Sequence, residues 1–131
     1  MASGADRLAS WSDVGAHLAA KFPGARTRAD GPIEVDVPLP DRSTQTVVLT
    51  TVDVDGVPWL DVRAVVGPAR YVGPAKALGD NAFSSVGALG LDGSNLVLRQ
   101  TLVLEGVRVR DLDETVGILA LRCLQARKAV S

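Results

Sequence analysis

The sequence predicts an α+β fold: an antiparallel sheet with helices packed on it, in the order α-βββ-α-ββ-α. Three observations predict it. Ile33, Val35, Val37 and Leu39 alternate with Glu34, Asp36 and Pro38, the period of a half-buried strand. Asp55-Gly56 and Asp92-Gly93 each separate two strand-like runs, and Asp-Gly is a strong signal for a tight hairpin. At both ends the period becomes helical. Trp11, Val14, Leu18 and Phe22 share one face, and Leu112, Val116, Leu119, Cys123 and Ala126 share another.

The elements follow in order. Residues 1–9 are small and polar and are expected to fray, leaving 10–131 as one domain. Ser10 or Ser12 caps a helix running to about Phe22, where Pro23-Gly24 stops it. The strand at Ile33 ends in a turn at Pro40-Asp41-Arg42-Ser43. Gln45 to Val54, rich in Thr and Val, is the second strand, and Val57 to Val66 returns from Asp55-Gly56. On that third strand Leu60, Val62, Ala64 and Val66 form one face, and Trp59, Asp61, Arg63 and Val65 the other. Gly67-Pro68 ends the meander, and Pro74 to Phe83 is predicted as a short helix. Val86 to Leu91 and Leu96 to Leu104 are the last two strands. Asp111 followed by Glu114 resembles a capping box opening a helix that runs to about Ala129. Ile118, Leu121 and Leu124 widen the apolar surface of that helix beyond one stripe, so it calls for a second burial partner.

Composition narrows the function classes. With 131 residues, 47% hydrophobic and 22% charged, the chain is globular and large enough for one core. A net charge of −1 provides no basic excess for nucleic acid or an anionic membrane. The single cysteine, Cys123, forms no internal disulfide and is compatible with a reducing compartment, so a cytoplasmic location is expected. The N-terminus carries neither a basic region nor a long apolar run, and no signal peptide or membrane span is expected.

Candidate chemistry is sparse. His17 is the sole histidine, with no second ligand or triad partner near it in sequence, so a surface role is expected. Cys123 lies on a core stripe and reads as a small hydrophobe. Asp53, Asp55 and Asp61 lack the spacing of a calcium loop, and Asp55-Gly56 reads as turn chemistry. Ser84-Ser85 lacks the flanking glycines of a nucleophile elbow, and Gly87 to Gly93 lacks the Lys-Ser/Thr of a phosphate loop. No enzyme activity, cofactor or metal is expected. The side chains left over by the core are the informative ones. Trp59, Arg63 and Val65 share the sheet face opposite Leu60 and Val62, and Arg99 stands with Val97 and Thr101 on the fifth strand. Arg and Trp are favoured at interfaces.

Local motifs agree with this order. Leu78-Gly-Asp-Asn-Ala82, Gly87-Ala-Leu-Gly-Leu-Asp92 and Leu96-Val-Leu-Arg-Gln-Thr-Leu102 follow one another, with Val37-Pro-Leu-Pro-Asp-Arg42 and Gln45-Thr-Val47 upstream. Together they resemble the YbjN-like proteins and the class I type III secretion chaperones, over about residues 10 to 129. One departure is the missing glycine of the first hairpin turn, where Arg42-Ser43 stands. The resemblance implies a non-enzymatic module, usually a homodimer, that holds an extended, effector-like peptide segment of a partner protein. Partner-binding residues are then expected at Trp59, Arg63, Val65 and Arg99, and dimer-interface residues at Val97, Thr101, Leu121 and Leu124. Two other readings stay open: a roadblock-like dimeric GTPase regulator, which has two strands before its middle helix, and a small-molecule-sensing domain, which needs a pocket of convergent polar groups.

Overall fold

A computed structural model describes residues 6–27, 31–71 and 87–130. The fold is α+β, as the periodicities predict. Six antiparallel strands form an open sheet in the order β2-β3-β4-β5-β7-β6. They are β2 (Arg26–Thr27), β3 (Ile33–Pro38), β4 (Thr44–Val54), β5 (Val57–Pro68), β6 (Ala88–Asp92) and β7 (Asn95–Val103). A second sheet pairs β1 (Arg7–Leu8) with β8 (Val107–Arg108). Helices α1 (Trp11–Lys21) and α2 (Val109–Val130) pack on one face of the large sheet. The helix expected at Pro74 to Phe83 lies outside the described residues.

The meander forms as the alternation dictates. Ile33, Val35, Val37 and Leu39 are all buried. They meet Val47 and Leu49 of β4 and Leu60, Val62, Ala64 and Val66 of β5 in the core. Val54 pairs with Val57 across Asp55 and Gly56, both at positive φ, 52° and 82°, the two-residue turn matched to the twist of its strands. Gly93 and Ser94 close the β6–β7 hairpin with another two-residue turn, Asp92 opposite Asn95, in which only Gly93 is at positive φ, 62°. Because β3 is a strand, three long strands precede residue 72, one more than the roadblock order has.

The first turn departs from the usual glycine with a consequence. Arg42 itself takes the left-handed conformation, φ 72°. Arg42 N–H donates to the Leu39 carbonyl at 3.0 Å, and the Asp41 carboxylate accepts from Ser43 N at 3.0 Å and from Ser43 Oγ at 2.5 Å. These bonds hold the Asp41 carboxyl below its ordinary pKa.

Ser10 caps α1, its Oγ accepting from Asp13 N at 3.1 Å, and Val14 and Leu18 face the core. For α2 the structure corrects two expectations. The helix begins at Val109, so Asp111 lies within its first turn instead of preceding it. Leu124, assigned to a second apolar stripe, joins Leu112, Val116, Leu119, Ala120 and Cys123 in the core. The C-terminal end is tied to the sheet where Arg127 Nη1 donates to Gln45 Oε1 at 2.5 Å and to the Val65 carbonyl at 3.4 Å.

Arg7 and Leu8, expected to fray, instead pair with Arg108 and Val107. Gly106 N donates to Leu8 O and Val109 N to Asp6 O, both at 2.8 Å. A two-residue strand has too few positions to show alternation, so β1, β2 and β8 left no periodic trace. Among the described residues, no helix is long and apolar enough to cross a membrane.

Candidate functional site

The inner face of the sheet is consumed by the core. The outer face follows from the registers, because directly opposed residues in antiparallel strands share a face. Val52, Trp59 and Val103 form one row, Thr50, Asp61 and Thr101 the next, and Val48, Arg63, Arg99 and Ala88 a third. Among the described residues no helix crosses this face.

The sequence placed Trp59, Arg63, Val65 and Arg99 on one side of the sheet. The structure keeps them there and adds the group that organises them. Asp61 is fully buried between the two arginines. Its Oδ2 accepts from Arg63 Nε at 3.1 Å and also from Arg63 Nη2, and its Oδ1 accepts from Arg99 Nε at 2.6 Å. Arg63 reaches on through Nη1 to Asp92 Oδ2 at 3.3 Å. Asp61, first among its causes, raises the Arg63 pKa above its ordinary value. A buried carboxylate is costly unless paired and hydrogen-bonded. Here both oxygens are occupied, which locks two long side chains into one geometry. Arg63 keeps 31% of its side chain exposed and Arg99 keeps 49%.

Beside this cluster lies apolar surface. Val52 and Val103 flank Trp59 in one row and are exposed, as are Val54 and Val57 at the hairpin end and Val65 beyond the arginines. Scattered exposed valines are ordinary, but a contiguous row around an aromatic is the composition of a contact surface.

The other expected interface residues divide. Thr101 and Leu121 are exposed, Leu121 next to exposed Ile118 on the outer side of α2. Val97 is 3% exposed and Leu124 9%, so neither offers its side chain to a partner in this structure. Residue spacing alone could not show this, because burial of the fifth strand's outer side depends on tertiary neighbours.

Toward the β2 edge of the same face stands a second charged group. Arg26 donates to Asp36 at 2.7 Å and to Glu34 at 3.2 Å, and Thr46 Oγ1 donates to Asp36 at 2.7 Å. The Arg26 bond, then that of Thr46, holds the Asp36 carboxyl below its ordinary pKa.

Two features lie off this face. His17, expected to be a surface residue, is half-buried, with Nε2 2.7 Å from Asp113 Oδ1, and so bridges α1 to α2. A separation of 96 positions hid that pairing from sequence. A cavity of about 650 Å³ is lined by Asp6, Arg7, Arg108, Arg110, Asp113 and Glu114. It is lined by three guanidiniums and three carboxylates, with Arg110 paired to Glu114 and Asp113 to His17. Among the described residues no three or more His, Cys, Asp or Glu side chains converge as a metal-binding set. Cys123 is buried, its Sγ donates to the Ala64 carbonyl at 3.6 Å, and burial pushes its thiol pKa up to about 11, away from nucleophilic use near neutral pH.

Compared with known proteins, the chain matches no family model, no curated protein and no solved structure.

Proposed function

We propose that this chain is a non-enzymatic protein- or peptide-binding module, of the secretion-chaperone or YbjN-like kind, acting as a cytoplasmic homodimer. The outer face of the sheet is its contact surface. The observation that carries this reading is the row of Arg63 and Arg99, held by buried Asp61, standing two rows along the same face from Trp59 and its exposed neighbours Val52 and Val103. Pre-organised arginines beside an aromatic are the features that concentrate binding energy at interfaces, because little side-chain freedom remains to be lost on contact. Self-association through Ile118 and Leu121 is supported by their exposure on a helix otherwise anchored in the core.

The test places a photo-crosslinking amino acid at Val65, between the arginines and the sheet's end, and irradiates the protein in its native host. A crosslink to one partner protein, lost on Trp59→Ala, is the expected result. Light scattering should show twice the 13.7 kDa chain mass, reverting to the chain mass on Leu121→Asp. A monomer with no crosslinked protein would sink the proposal.

A further inference from the structure

We infer that the segment this face takes is an extended strand of a partner protein, carrying an acidic side chain four residues from an apolar one. The inference rests on the reading of the outer face as a contact surface.

The acidic requirement comes from the unequal use of the two arginines. Arg63 is engaged at every nitrogen: Nε and Nη2 donate to Asp61 and Nη1 to Asp92. Arg99 is not. Its Nε is fixed to Asp61 Oδ1 at 2.6 Å, and among the described residues no acceptor meets its Nη1 or Nη2. Half of its side chain is exposed. Asp61 therefore acts as a positioning residue that holds an open fork of donors at the surface. A planar pair of guanidinium N–H groups matches a carboxylate in two parallel hydrogen bonds. Charge points the same way. Asp61 lies beneath both guanidiniums, and Asp92, the one other carboxylate in the cluster among the described residues, reaches only Arg63, so the outward Nη1 and Nη2 of Arg99 face no carboxylate among those residues.

The spacing comes from the strands. Trp59 and Arg63 are four residues apart on β5, and their partners Val103 and Arg99 are four residues apart on β7. At about 3.3 Å per residue this is roughly 13 Å. Residues i and i+4 of an extended chain point to the same side and span that distance. A strand laid lengthwise over β5 and β7 thus sets one side chain against Trp59, Val52 and Val103 and another against Arg99. The side chain between them meets Thr50 and Thr101, which accept small polar groups.

The experiment uses synthetic peptides of Ser and Thr with one central Leu. Asp, Asn or Lys is walked through the positions on either side, and binding to the intact protein is read by fluorescence anisotropy. Asp four positions from Leu should bind about tenfold more tightly than its Asn twin, and other spacings should not. The preference should collapse in Arg99→Gln, with circular dichroism confirming the fold. In Arg99→Glu it should pass to the Lys peptide. Equal binding of Asp and Asn peptides, or no binding of any peptide to the wild-type protein, overturns the acidic-segment inference. Leu-dependent binding that is lost in Trp59→Ala, but blind to Asp, would overturn it while leaving the contact-face reading intact. Failure of that reading would appear separately, as the absence of a Val65 crosslink.

Discussion

The Asp61 carboxylate and the Arg99 guanidinium meet between neighbouring strands, Oδ1 to Nε at 2.6 Å, with the acid fully buried and the base half in solvent. The asymmetry assigns different roles to the two ends of one ion pair. Removing the acid takes away the buried acceptor that both arginines share and leaves a void between the strands, whereas removing Arg99 leaves Asp61 still bound by Arg63.

Asp61→Ala should therefore destabilise the fold by about 2–4 kcal/mol. Arg99→Gln should cost about 1 kcal/mol or less, since its charge is largely solvated. Urea denaturation of both variants checks the order, and equal losses would refute it.

Gly87 precedes β6 at φ 81°, and its N–H donates to Gln100 Oε1 at 2.8 Å. A Cβ there would lie 2.6 Å from Leu119 Cδ2 in the core. Gly87→Ala combines left-handed strain with overpacking, so a loss of about 2–4 kcal/mol is expected in thermal or urea unfolding. A loss below about 1 kcal/mol would mean that Leu119 moves aside freely.

Arg42 presents the opposite case. It holds a left-handed φ of 72° with an exposed side chain, a conformation that costs a residue with a Cβ about 1 kcal/mol. Arg42→Gly should raise stability by about 0.5–1 kcal/mol, read as a higher denaturation midpoint.

Cys123 predicts a pH dependence. Folding keeps its proton on, lifting the thiol from an ordinary pKa of 9.0 to about 11. Its contribution is complete below pH 9.0, where the unfolded thiol is also protonated, and is lost as pH rises through about 11. Stability curves for wild type and Cys123→Ala should converge over that window, the variant being flatter. A thiol reagent near neutral pH should label the protein only in denaturant.

The long elements were legible because each carries several repeats of its period. Ile33 to Leu39 contributes four inward apolar residues, and α2 contributes a stripe over many turns, so each specified its own face. The candidate site was half legible. Alternation assigned Trp59, Arg63 and Val65 to one face, but Asp61 has the same parity and no local feature marks it as the buried centre. Its burial depends on Arg99, 38 positions away, and on register. Likewise Val97 and Thr101 have the same parity, yet one is buried and the other exposed. Neighbours that arrive from elsewhere in the chain decide such cases, and periodicity does not encode them.

The pairing of Arg7 and Leu8 with Arg108 and Val107 also sets an order of events. During synthesis the meander from Ile33 to Pro68 can assemble early, since each strand meets the next through a short turn. The first strand has no such neighbour. It must wait until almost a hundred further residues have emerged, and closing so long a loop carries an entropic cost that the meander avoids. A segment made before the meander is thus among the last to dock, and its Asp6 carbonyl accepts from Val109 N where α2 starts.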